Sequence, residues 1–161
     1  MHPEPIEEVI ETYKSLVYGI ALTQTGHRFD ADEVFQDVFL AYHRKEKIFR
    51  DAEHQKAWLI RVTLNYCKKI HRHSWNRRTV GIKEHHQGTV AFQLPEENGV
   101  FSALSELPDK YRTVLYLFYF QSYTTDEISS LLKIRGGTVR MRLTRGRELM
   151  RQKLEGGDAR E

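Results

Sequence analysis

YTTDEISSLLKIRGGTVRMRLTRGRELMRQKL, residues 123–154, holds two helical patterns separated by a short break. Thr124 followed by Glu127 is a capping box, which marks a helix start. Ile128, Leu131 and Leu132 behind it share one face of a helix of about two turns. Lys133 to Gly137 interrupt the pattern, and Thr138 is expected to open a longer helix whose buried stripe is Val139, Leu143, Met150 and Leu154. Two short helices joined by a tight turn predict a helix-turn-helix. Helix-turn-helix turns favour glycine where this chain has Lys133, because the residue at that position tends to be left-handed. The hydroxyl cap usual before the second helix is replaced by Arg135 and Gly136, with Thr138 as a partial substitute.

Between its inward residues the second helix carries Arg140, Arg142, Arg145, Arg147, Arg151 and Lys153 against one acid, Glu148. In this motif the second helix enters the DNA major groove with its N-terminal residues on base edges, while later cations meet phosphate. Arg140, Met141, Thr144 and Arg145 are the expected base contacts. A solvated basic helix on an ordinary bundle is the bland alternative.

Working outward, 161 residues suit one compact domain or two small ones. Apolar residues at 40 % provide for real cores, while 29 % charged residues indicate a soluble chain. No signal peptide and no apolar run long enough for a bilayer is visible, so no membrane insertion is expected. A lone cysteine, Cys67, excludes an internal disulfide and fits a reducing, cytoplasmic setting. The net charge of +3 hints weakly at nucleic acid, and the placement of the charges says more.

Ile6 to Leu22 reads as a core helix. From Asp30, expected as a cap, a second helix buries Val34, Phe35, Val38, Phe39 and Tyr42. Asp32, Glu33, Gln36 and Asp37 form its other face. That face is either dipole complementation alone or a docking surface for a basic partner protein. Ile48 to Gln55 reads as a connecting loop. A third helix from Lys56 buries Trp58, Leu59, Val62, Tyr66 and Ile70. It shows His54, Arg61, Asn65, Lys68 and Arg72 in one stripe, a row suited to a phosphate backbone. Asn65 is its one uncharged member of a type that pairs with base edges. Nearby aromatics such as Trp58, Tyr66 and Trp75 are core by spacing and also suit unstacked bases. The histidines His54, His71, His73, His85 and His86 fit no zinc spacing, so neither metal nor cofactor is expected. Residues 79–99 have the composition of a linker. Phe101 resumes order, with Pro108 expected at a first helical position. Val114, Leu115, Leu117 and Phe118 are expected beneath the helix-turn-helix, leaving Tyr116, Tyr119 and Phe120 as excess aromatic surface.

The expected architecture is all-α, two small helical domains joined by a flexible linker. Their bounds are 1–78, the linker 79–99, 100–155 for the helix-turn-helix domain, and a tail 156–161. In this order DADEVFQDVFLAYHR, FRDAEHQKAWLIRVTLN and LSELPDKYRTVLYLFYFQSYTTDEISSLLKIRGGTVRMRLTRGRE resemble the extracytoplasmic-function sigma factors, the smallest members of the bacterial sigma-70 family. The resemblance covers nearly the whole chain. It implies a non-enzymatic subunit that binds core RNA polymerase and promoter DNA, is monomeric when free of partners, and is controlled by an anti-sigma factor. By the same resemblance Asp32, Glu33, Gln36 and Asp37 would dock on the polymerase. Phe49, Arg50, His54, Lys56, Arg61, Asn65, Lys68, Lys69 and Arg72 would hold the melted minus-ten element. Gly137, Thr138, Arg140, Met141, Arg142, Thr144 and Arg145 would read the minus-thirty-five element as duplex. Asp51 stands where the family usually has glycine. The competing readings are an autonomous dimeric helix-turn-helix regulator, which leaves the acidic face and the Asn65 row without a role, and a nuclease using Asp32, Asp37 and histidines, which no phosphate loop or nucleophile motif supports.

Overall fold

The computed structural model describes residues 4–45, 48–79 and 99–158, apart from the side chains of 71–79, 101, 157 and 158. The chain divides into two compact units, Met1–Gln93 and Leu94–Glu161. Every element among the described residues is helical. The expected linker and the side chains of His71, Arg72, His73 and Trp75 lie outside the described residues, as do His85 and His86.

In the first unit α1 (Ile6–Thr25), α2 (Arg28–Lys45) and α3 (Ala52–Thr79) each pack on the other two. The core joins Val9, Val17 and Tyr18 of α1 to Ala31, Val34 and Val38 of α2 and to Leu59, Cys67 and Ile70 of α3. Burying one such aliphatic side chain contributes about 1.5–3 kcal/mol, so this shared seam outweighs any cap. The α1 helix runs three residues beyond the expected Leu22. It stops at Gly26, whose φ of 74° and N–H bond to the Leu22 carbonyl (2.8 Å) form a left-handed end. Asp30 is not the cap of α2, which begins two residues earlier, and its carboxylate is buried in the first turn.

The stretch expected as a loop up to Gln55 is in part helix. Asp51 accepts from the His54 N–H at 2.7 Å, and His54 Nδ1 accepts from the Arg50 N–H at 3.3 Å. This reciprocal pair starts α3 at Ala52, four residues before the apolar pattern begins, and gives Asp51 a structural reason. Gln55, one turn on, is buried and joins all three helices. Its Oε1 accepts from the Tyr13 hydroxyl (3.0 Å), and its Nε2 donates to the Tyr42 hydroxyl (2.9 Å) and to Glu4 Oε2 (3.2 Å). Along α3 the buried arc is wider than expected. Ile60, Thr63 and Cys67 join Leu59 and Ile70, whereas Trp58, Val62 and Tyr66 are half-buried at its edge.

In the second unit α4 (Val100–Ser105) and α5 (Asp109–Leu115) lead into a π-helical turn, Tyr116–Phe120, then α6 (Thr125–Leu132) and α7 (Gly136–Asp158). Pro108 caps α5 from the position just outside it. Arg112 is buried, donates to the carbonyls of Ser105 (3.0 Å) and Leu107 (3.2 Å) and pairs with Asp109, so this cation fixes a corner and belongs to no surface. The wider π turn changes which aromatics face inward. Tyr116 is buried, against expectation, and stacks on Phe120 at 5.4 Å, while Tyr119 and Phe120 remain exposed. Gly146 of α7 lies against α5, where a Cβ would sit 2.8 Å from Leu115 Cδ1 and 3.4 Å from Tyr111 Cβ. The helix-turn-helix depends on that close approach.

The capping box is present, with Thr124 accepting from the Glu127 N–H (3.1 Å) and Glu127 accepting from the Thr124 N–H (2.9 Å). Lys133 is left-handed at φ 57°, ψ 46°. The N–H groups of Lys133 and Ile134 both reach the Ser129 carbonyl, and the Ser129 hydroxyl donates back to the Ile134 carbonyl. The turn is tighter than expected, because α7 opens at Gly136 and Thr138 lies inside it. At its other end α7 continues through the expected tail to Asp158. Lys133→Gly should raise the stability of this unit by about 1 kcal/mol, since only the left-handed strain is removed. Gly146→Val should lower it by about 1–3 kcal/mol through overpacking against Leu115. Urea unfolding of the two variants beside the parent checks both.

Candidate nucleic-acid interface and docking face

On α7, Val139 and Leu143 are buried and Gly146 faces α5. The opposite face shows Gly137, Met141, Thr144 and Arg145, all exposed. Arg140 leans back over the helix start: a Cβ on Gly136 would lie 3.3 Å from its Nη1. A cation there meets the positive end of the helix dipole, an arrangement that an anion in front of it would relieve. Thr144 donates to the Arg140 carbonyl (3.0 Å) and keeps its hydroxyl against its own helix. The Arg145 guanidinium beside Tyr111 of α5 holds that phenol below its ordinary range.

The other cations of α7 are more committed than their number suggests. Arg147 donates to the Tyr119 hydroxyl (3.1 Å), Arg151 pairs with Glu148 (2.7 Å) and Glu155 (3.8 Å), and Lys153 pairs with Glu106 (3.1 Å). Among the described residues no acid pairs with Arg140, Arg142 or Arg145. Positive charge available to a ligand is therefore concentrated at the N-terminal half of the helix. Of the residues expected here, Thr138 and Arg142 are half-buried on its flank.

On α3, Arg61, Asn65, Lys68 and Lys69 are exposed, while His54 and Lys56 are half-buried at its start. Arg72 lies in the helix, its side chain outside the described residues. Phe49 precedes the helix and stacks on Tyr42 at 5.7 Å and 19°. It also meets the edge of His54 (5.3 Å) and lies 5.7 Å from Trp58. Lys45 stands over the Trp58 ring at 4.4 Å. Arg50 is exposed beside Asp51 at 3.6 Å. An aromatic cluster edged by Lys45, Arg50 and the Arg61 row can offer stacking faces and backbone charge to an unpaired strand. Sequence spacing treats Phe49 as an isolated loop residue, because its partners come from α2 and α3.

The acidic face of α2 has a different membership from the expected one. Asp32 is buried at 1 % exposure and faces Tyr18, whose phenol is pushed up by burial and then by this carboxylate. It is therefore not part of an accessible acidic face. Its helical spacing from Phe35 and Phe39, three and seven residues on, carries the signal that it points inward. Glu33 and Gln36 are exposed and Asp37 half-buried. Burial pushes the Asp37 carboxyl up, against the pull of Lys69 and Arg44, so the acidic face of α2 meets the basic row of α3 at this residue. Leu40 stands among these groups at 48 % exposure. Sequence reading passed over it, although its spacing of four from Gln36 and seven from Glu33 places it on their face.

Residues 9–77 match the family model of sigma-70 region 2, and residues 100–150 match that of sigma-70 region 4. The chain belongs to the sigma-70 family. SigW of Bacillus subtilis, an extracytoplasmic-function RNA polymerase sigma factor, is 28% identical over 91% of this chain and 87% of its own length. SigE of Mycolicibacterium smegmatis, of the same group, is 25% identical over 92% of this chain and 61% of its own. In fold the chain is similar to sigma factor RpoE solved with the anti-sigma factor NepR from Bartonella quintana, at TM-score 0.68 and 17% identity, covering 93% of this chain and 96% of that one. CnrH, solved with the cytosolic domain of CnrY, gives 0.64 at 20% identity, covering 94% and 88%. As an extracytoplasmic-function sigma factor the protein has no catalysis of its own; it binds core RNA polymerase and directs transcription initiation at promoters. No described helix is long and apolar enough to cross a membrane.

Asp51→Ala should lower the stability of the first unit by about 1 kcal/mol, the usual worth of an N-cap, and loosen Arg50 and Phe49 in front of α3. Chemical denaturation measures the first effect and proteolysis at Arg50 the second.

Proposed function

We propose that the sigma factor divides its work among three faces. The exposed side of α2, with Glu33, Gln36 and Asp37 around Leu40, docks on core polymerase. An apolar side chain inside a polar rim is the composition of an interface core, and Leu40 is 48 % exposed among these polar groups. Phe49, Arg50, His54, Lys56 and the row Arg61, Asn65, Lys68, Lys69 and Arg72 hold the melted minus-ten strand. Flipping a base costs a few kcal/mol, which stacking and backbone contacts offset. Asn65 supplies the base-edge pairing.

The N-terminal half of α7 reads the minus-thirty-five duplex. Gly137, Thr138, Met141, Thr144 and Arg145 approach the bases, and Arg140 and Arg142 meet flanking phosphates. The observation that supports this reading is the concentration of cations without an acid partner on the first turns of α7, with Arg147, Arg151 and Lys153 already hydrogen-bonded to Tyr119, Glu148 and Glu106. The likeness to sigma factors solved with anti-sigma partners supports control by an anti-sigma factor, with exposed Tyr119 and Phe120 as contact surface. The protein works in the cytoplasm, where its polymerase is, and is monomeric when free of partners.

The test is binding to core RNA polymerase followed by transcription from a library of random upstream sequences. Saturable binding with selective initiation is expected; a dimer that binds operators tightly without polymerase is the result that would sink the assignment of faces. Leu40→Asp should weaken core binding tenfold or more, on the order of 1.4 kcal/mol, without unfolding the protein, as an exposed site allows. Arg145→Ala should lose about 1–3 kcal/mol at selected promoters and much less on random DNA. Asn65→Ala should leave closed-complex formation intact and slow promoter opening, read with permanganate footprinting.

A further inference from the structure

Met141 is 59 % exposed, the most exposed large apolar side chain among the described residues. It lies on the outward face of α7, about 1.4 turns from its start and opposite buried Leu143. The outward position one turn before it is Gly137, and the Arg140 guanidinium folds back over the helix start, its Nη1 and Nη2 lying 3.3 and 3.9 Å from where Cβ atoms on Gly136 and Gly137 would be. Gly137 leaves the outward face itself without a side chain there, and Met141 is the first apolar side chain on that face to meet a surface, with the Arg140 cation beside it. Its neighbours on that face are Thr144, whose hydroxyl is turned back onto the Arg140 carbonyl, and Arg145, whose guanidinium lies beside the Tyr111 phenol. The middle of the reading face is thus apolar, with cations at its edges.

The major groove holds one apolar group, the 5-methyl of thymine. A thioether placed against polar base edges would desolvate them without giving a hydrogen bond, whereas against a methyl it removes apolar surface from water on both sides. We infer that Met141 is a specificity-determining residue that selects a thymine in the upstream promoter element by contact with its 5-methyl group. This rests on the reading that α7 enters the major groove at that element. The structure assigns it to this chain's own Met141, and it adds to the base-edge contact proposed for Arg145 a contact that involves no hydrogen bond.

The test uses holoenzyme reconstituted with core RNA polymerase on a promoter selected from the random library. Each thymine of the upstream element, on either strand, is replaced in turn by deoxyuridine, which removes the methyl and leaves every hydrogen-bonding group in place. One replacement should weaken binding about fourfold, the worth of one methyl group withdrawn from water. With Met141→Ala the same replacement should have no further effect, and with Met141→Leu the sensitivity should persist. A second variant, Arg145→Ala, should weaken binding while keeping the methyl effect. The inference is overturned if no deoxyuridine weakens binding, or if Met141→Ala holoenzyme loses as much as the parent. Either result leaves the helix assignment standing as long as Arg145→Ala still lowers selectivity. If the parent holoenzyme shows no dependence on any upstream duplex sequence, the major-groove reading and the inference fall together.

Discussion

What α7 can present to DNA follows from the angle at which it leaves α6, and that angle is set at Lys133. A left-handed residue with a side chain is strained by about 1 kcal/mol, and the turn holds because Ser129 is bonded from both sides. Its carbonyl takes the N–H groups of Lys133 and Ile134, and its hydroxyl reaches over to the Ile134 carbonyl. Gly146 then lets the far side of α7 lie directly on Leu115 and Tyr111 of α5. With the turn and that contact fixed, Val139 and Leu143 have one way to be buried, and Met141 and Arg145 one direction in which to point.

The first unit has a corresponding corner at the start of α3. Asp51 and His54 close the helix end, and Gln55 ties that end to Tyr13 and Tyr42. The same few residues deliver Phe49 onto Tyr42 and Trp58. Stability and the candidate strand-binding surface are therefore built from one piece of chain. Losing the corner would cost both.

Charge in this protein is informative through its pairing more than its sum. A net +3 would suit many soluble proteins. Arg112 is consumed in a buried corner, Arg151 and Lys153 are held by acids, and Arg147 by a phenol. Arg140, Arg142 and Arg145 are left without an acid partner on the leading half of α7, where a field concentrated over about 1.4 turns acts on phosphate more strongly than the same charge spread along the helix.

The sequence by itself determined the all-helical class, the helix-turn-helix, the family and the basic row of α3, because each rests on local spacing. A capping box spans four residues and an amphipathic stripe repeats each turn, so Thr124, Glu127, Arg61 and Asn65 were legible without partners. What depended on a neighbouring helix was decided only by the tertiary structure. Asp32 turned inward to Tyr18, Leu40 outward among acids, and Tyr116 inward where a π turn adds a residue. The loop before α3 shortened through a local cap, Asp51 on the His54 N–H three residues on, whereas Arg147 and Lys153 of α7 were committed only because packing brought Tyr119 and Glu106 opposite them. Periodicity tells which side of a helix is apolar; which polar groups are already answered depends on the packing that brings their partners within reach.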